Sequence, residues 1–163
     1  MGTTSYAIAL GSNRRNRWGP PAAALRAATT EIGAERLSRI RSTPALGPAG
    51  RSFANAVAIL RSELPPPALL ARLKTVEAEF GRRPSRRWGP RVIDLDIILW
   101  SGGRWRDRSL EVPHPAFRER RFVLEPLAEM APFWRDPVTG LTVCQLLGRQ
   151  ARRRPVDPCS PST

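Results

Sequence analysis

The stretch RRWGPRVIDLDIILW, residues 86–100, sets arginines around a Trp-Gly-Pro turn, then runs into an apolar segment holding Asp94 and Asp96. Residues 91–100 read as the strongest strand of the chain. Side chains at i and i+2 of a strand share a face, so the two carboxylates stand side by side, their Cα atoms about 6.5 Å apart. Ile93, Leu95 and Ile97 take the opposite face and can enter the core. Adjacent carboxylates repel unless a cation lies between them. Mg²⁺ takes a few carboxylates and completes its shell with water and phosphate oxygens. The competing reading pairs both aspartates with arginines, of which Arg82, Arg83, Arg86, Arg87 and Arg91 are at hand. On the Asp-x-Asp spacing alone the two readings are even. The arginine-rich Gly/Pro loop tips the balance toward polyphosphate chemistry.

The rest of the chain supplies the partners of that strand. YAIAL (6–10) is a short strand ending in the turn signal GSN. AAALRAATTEIG (22–33) carries helix formers and a terminal glycine. RLSRIRSTP (36–44) and FANAVAILRS (53–62) alternate as strands. PPPALLARLKTVEAEFG (65–81) spaces Leu69, Leu70, Leu73, Val76 and Phe80 as a helix that prolines start and Gly81 ends. Helical pieces follow residue 112, with a small element over 141–149. The order strand, helix, strand, strand, helix, strand predicts an α+β fold, a ferredoxin-like βαββαβ sandwich with additional C-terminal helices. Residues 1–149 read as one domain and 150–163 as a disordered tail.

Composition narrows the classes. The 163 residues suit one domain. No apolar run is long enough to span a bilayer, no secretory segment opens the chain, and Tyr6 breaks the myristoylation pattern. Cys144 and Cys159 make neither a disulfide framework nor a metal cluster, which points to a reducing cytoplasm. The net charge is +13, and Lys74 is the only lysine among 27 basic residues. Guanidinium groups suit phosphate, so a basic nucleic-acid-binding module is an alternative, with Trp18, Trp88, Trp100, Trp105 and Trp134 as stacking groups. The tryptophans are more readily core and loop residues, and the arginines are spread along the chain. No G-x-x-x-x-G-K-[ST] loop is present, which excludes a P-loop enzyme. A metal-dependent nucleotidyltransferase using the Asp-x-Asp pair is a third reading.

GRRPSRRWGPRVIDLDIIL (81–99) resembles the signature of the 6-hydroxymethyl-7,8-dihydropterin pyrophosphokinase (HPPK) family of folate biosynthesis. ALGSN (9–13), STPALGP (42–48), FANAV (53–57) and VPHPAFRERRFVLEPLAEMAP (112–132) resemble further family motifs in consistent order. The resemblance implies Mg-dependent transfer of pyrophosphate from ATP to 6-hydroxymethyl-7,8-dihydropterin, giving AMP and the pterin diphosphate. It implies two Mg²⁺ ions held by Asp94 and Asp96, and Arg82 and Arg91 acting on the phosphates as loop 82–90 closes. Asp96 is the best candidate for a general base. His114, Arg120 and Trp88 would contact ATP. Phe53 and Phe122 would sandwich the pterin, with Asn55 and the backbone near Thr43, Pro44 and Leu46 reading its edge. Without the resemblance, core packing explains the phenylalanines, and a helix cap explains His114. Arg118 and Arg121 have no assignment and read as surface charge; Glu77 supports the pterin side or orients an arginine. Ser109 stands where the family often has an ATP-touching arginine, with Arg108 beside it. A cytoplasmic monomer without a second fused pathway domain is expected.

Overall fold

The computed structural model describes residues 2–13, 19–43, 53–81 and 92–153. Strand β1 (Thr4–Ser12) lies between β4 (Phe53–Ser62) and β5 (Asp94–Trp100), antiparallel to both. On the far edge of β4 sit two short strands, β2 (Arg36–Leu37) and β3 (Arg41–Thr43), so the sheet order is β2-β4-β1-β5 with β3 also pairing β4. The stretch expected as one strand over 36–44 is therefore two pieces, both antiparallel to β4. Helix α1 (Pro21–Glu31) follows β1 and α2 (Pro66–Glu79) follows β4, each with proline in its first turn, where no amide partner is missed. A ribbon of β6 (Trp105–Arg106) and β7 (Glu111–Val112) leads to a 3-10 turn at Phe117–Glu119, then α3 (Arg121–Met130) and α4 (Val143–Arg152). Thr142 and Gln145 close a capping box on α4, which runs on past Arg149. The result is a mixed α+β body.

The pleat separates two cores. Tyr6, Ile8 and Leu10 of β1 join Leu95 and Ile97 of β5 against Leu25 and Ala28 of α1 and Leu69, Leu73 and Val76 of α2. Ile93, Leu95 and Ile97 all enter this core, as the period of two requires. On the other face Ala7 and Val57 meet Val123, Leu124 and Leu127 of α3 and Val143 and Leu146 of α4. The β1–β5 register shifts between Ala7 and Ile8. The bulge sends Ile98 and Leu99 into the α3–α4 core together. Just beyond, Gly102 covers Trp100, where a Cβ would stand 2.3 Å from the indole ring.

The tryptophans behave as packing residues where they are described. Trp100 stacks on Tyr6 at 6.2 Å and meets Trp105 edge-on at 6.4 Å, while Trp134 packs on the α3–α4 core. Those three are thus engaged in packing; Trp18 and Trp88 lie outside the described residues.

Candidate active site

Helices α3 and α4 cover only one end of their face of the sheet. At the other end the register builds a row of Arg41, Asn55, Gly11 and Asp94 across β3, β4, β1 and β5. One step along lies a row of Val57, Ala9 and Asp96. Strand spacing puts the Cα atoms of Asn55 and Asp94 about 10 Å apart, with Gly11 between them. Thr43 pairs with Phe53 at the sheet's end. Phe53 is 42% exposed and Phe122, in the first turn of α3, is 41% exposed. Exposed phenylalanine rings cost apolar surface that packing would cover.

Asp94 is the first residue of β5, so the carboxylates sit at the mouth of the strand rather than in its middle. Burial raises the Asp96 carboxyl above its usual range, and the charge of Asp94 adds to this; His114, Lys74 and Arg120 oppose it. Among the described residues no cation is within ion-pair distance of Asp96; Arg82, Arg83, Arg86, Arg87 and Arg91, the arginines of the competing reading, lie outside them. Nor do the described residues hold a group of three His, Cys, Asp or Glu side chains able to bind a metal alone. Two carboxylates that repel, with shell positions left for other oxygens, form a donor set that fits Mg²⁺ arriving with a phosphate ligand.

His114 is tied to the outer edge of β5, its N–H donating to Ile98 O at 3.0 Å. Its Nδ1 accepts the Ala116 N–H at 3.1 Å, so the neutral ring carries its proton on Nε2. The ring thus closes the turn before the 3-10 helix, although it does not cap that helix. Burial depresses the imidazole below its usual value; the charge of Asp96 opposes this and that of Arg120 adds to it. Arg120 precedes α3, with its guanidinium 5.8 Å from the Phe122 ring.

Of the two arginines left unassigned, Arg118 is tied to a buried carboxylate, whereas Arg121 is exposed surface charge. Arg118 makes a bidentate pair with buried Asp136, 2.6 Å from Nε and 2.8 Å from Nη2. Burial works against the Asp136 charge, but hydrogen bonds from Arg118, Thr139 and the Val138 N–H outweigh it and hold the carboxyl at about 2. Arg121 pairs with Glu125 one turn along α3. Ser109 is used up by its turn, where its N–H and hydroxyl both donate to Asp107 Oδ1.

Glu77 is the residue whose part is most unlike its expected one. Its carboxylate accepts the Leu95 N–H at 2.8 Å and meets Lys74 Nζ. The signal was present in α2: Glu77 follows Leu73 by four, on the stripe that otherwise carries apolar side chains. Arg41 and Gly11 were missed because only strand register brings them beside Asn55. Arg82, Trp88 and Arg91, with loop 82–90, lie outside the described residues, as do Pro44 and Leu46.

A family model described as 7,8-dihydro-6-hydroxymethylpterin-pyrophosphokinase (HPPK) matches residues 7–132. The chain is 42% identical over 116 residues to the 2-amino-4-hydroxy-6-hydroxymethyldihydropteridine pyrophosphokinase of Synechocystis sp., a match covering 71% of this chain and 60% of that protein. It is 41% identical over 133 residues to the protein of the same name from Methylorubrum extorquens, covering 80% of this chain and 84% of that one. Among solved structures, an HPPK-DHPS in complex with substrates shares the fold at a TM-score of 0.73 and 11% identity, over 93% of this chain and 44% of that one. The chain belongs to the 7,8-dihydro-6-hydroxymethylpterin-pyrophosphokinase family.

Proposed function

We propose that this protein transfers the pyrophosphoryl group of ATP to 6-hydroxymethyl-7,8-dihydropterin, releasing AMP and the pterin diphosphate. The observation that carries the reading is the shared open face: an amide at Asn55 and a carboxylate pair at Asp94 and Asp96, separated by the bare backbone of Gly11. One side suits an amide-rich ring and the other a polyphosphate. The names of the relatives support the same reaction. The sheet order and the helices after β1 and β4 support a ferredoxin-like βαββαβ description of the body.

In this account the pterin lies between Phe53 and Phe122, Asn55 donates to and accepts from its ring, and backbone near Thr43, Pro44 and Leu46 reads its edge. Its hydroxymethyl oxygen attacks the β-phosphorus, the bond from the β-phosphorus to the α,β-bridging oxygen breaks, and AMP leaves. Asp94 and Asp96 would hold two Mg²⁺ ions together with the phosphates; bound there, the metal neutralises phosphate charge and acidifies the alcohol. Asp96, nearest the pterin alcohol in this account, accepts its proton. His114 offers its Nε2–H, and Arg120 its charge, to ATP. Arg82 and Arg91 neutralise the phosphates and Trp88 covers the nucleotide, as loop 82–90 closes and excludes water. A cytoplasmic monomer is part of this reading; no described helix is long and apolar enough to cross a membrane.

The test is incubation with ATP, Mg²⁺ and the dihydropterin alcohol, with products separated by chromatography. AMP should form one-for-one with pterin diphosphate and only when the pterin is present. Release of inorganic pyrophosphate would mean nucleotidyl transfer, and no nucleotide turnover with salt-sensitive nucleic-acid binding would mean a binding module.

A further inference from the structure

β5 ends the sheet order, so the outward N–H groups of this strand have no strand partner. One of them belongs to Leu95, the single residue between Asp94 and Asp96. It donates to Glu77 Oε1 at 2.8 Å. Glu77 is 1% exposed and Leu95 is fully buried, so water is excluded from this part of the edge and the amide depends on a protein acceptor. A second cation-bearing side chain steadies it: Lys74 Nζ stands 3.3 and 3.2 Å from the two carboxylate oxygens. Lys74 is the only lysine among 27 basic residues. An ammonium is a compact point charge, which suits a grip on both oxygens one helical turn away.

We infer that Glu77, steadied by Lys74, is a positioning residue that sets the spacing and aim of Asp94 and Asp96 by holding the Leu95 amide between them. Farther along that edge the His114 backbone N–H donates to Ile98 O. Without Glu77 the mouth of β5 can twist, and a twist at Leu95 swings both neighbouring carboxylates together.

This inference rests on reading Asp94 and Asp96 as cation ligands, and the experiment separates the two. Mn²⁺ binding is followed by electron paramagnetic resonance in the full chain with a non-hydrolysable ATP analogue, and pterin affinity by calorimetry. Glu77→Gln keeps an oxygen for the Leu95 N–H and should bind Mn²⁺ about as wild type does. Glu77→Leu removes the acceptor and should weaken Mn²⁺ about tenfold or more, as loss of a residue behind metal ligands does, with pterin affinity unchanged. If Glu77→Gln is as weak as Glu77→Leu, charge and not the amide bond matters, and the inference falls. Unchanged Mn²⁺ binding in both also overturns it. Asp96→Asn is the control: if it binds Mn²⁺ normally, the metal reading itself is wrong, whereas loss there with no loss in Glu77→Leu defeats the positioning role alone. Should Glu77→Leu not fold, exchange of the Leu95 amide decides. It should be protected in wild type and Glu77→Gln, and rapid exchange in wild type would contradict the inference.

Discussion

Asn55 and Asp94 stand on opposite sides of Gly11, in one row across β4, β1 and β5. The polar group suited to a heterocycle and the carboxylate suited to a metal-bound phosphate are thus placed by strand register, not by loops. A register slip of one residue would turn either of them into the other core. The alternation that fills the α1–α2 core with Leu95 and Ile97 is the same alternation that presents Asp94 and Asp96.

Gly11 should be the position where bulk is tolerated by the fold and not by the substrate. A Cβ there would stand 3.5 Å from Asn55 Oδ1, an ordinary contact, and a β-branched residue suits a strand. Gly11→Val is expected to fold with a melting temperature near that of wild type. Its side chain fills the gap between Asn55 and Asp94 and should cost pterin binding about 1–3 kcal/mol. Calorimetry with pterin and with an ATP analogue measures this; unaltered pterin affinity would put the ring elsewhere.

Asn55→Ala removes the amide but not the space. Unpaired polar groups on a covered ring cost roughly 1–3 kcal/mol each. Pterin affinity should fall far more than ATP affinity. Equal losses for the two ligands would make Asn55 a structural residue.

Asp96→Asn should stabilise the apo protein while abolishing AMP formation. Burial and Asp94 raise the Asp96 carboxyl, so the folded state binds that proton more tightly than the unfolded one. At neutral pH the charge therefore costs stability; the cost begins to shrink as pH falls through the folded-state value and is gone below the usual 3.8. Asparagine removes the charge at every pH. Thermal melts of the apo proteins check the sign: a lower melting temperature in Asp96→Asn would show the charge to be stabilising.

Asp136 has the opposite sign. Its carboxyl is held at about 2, below the usual 3.8. The contribution to stability is complete above the usual value and is lost as pH falls through about 2. Allowing for screening, roughly 1–2 kcal/mol is involved. Urea unfolding of wild type and Asp136→Asn should therefore differ at neutral pH and converge in strong acid. A gap that persists unchanged into acid would mean Asp136 acts through shape and not through its charge.

The elements that were legible in the chain are those with a period. The strand at Asp94–Trp100, the apolar stripe of α2 and the pairing of Asp94 with Asp96 on one face all follow from spacings of two or of three and four. The bulge opposite Ala7 was not legible, because Ile97, Ile98 and Leu99 are equally apolar and no spacing distinguishes an inserted residue. The break of 36–44 into two short strands depends on how β4 pairs at each end, which is a tertiary fact. Arg118 and Asp136 lie 18 residues apart with nothing periodic between them. Glu77 was visible as a charge on an apolar stripe, yet its partner, the Leu95 amide, is a backbone group that carries no sequence signal.

The central claim is that a two-phosphorus unit passes from ATP to the pterin. The most direct measurement uses ATP labelled separately at the α-, β- and γ-phosphorus, with Mg²⁺ and 6-hydroxymethyl-7,8-dihydropterin, and locates each label after one turnover. The account predicts that the β and γ labels arrive together on the pterin and the α label stays in AMP. A γ label transferred alone, or an α label attached to the acceptor, would contradict it.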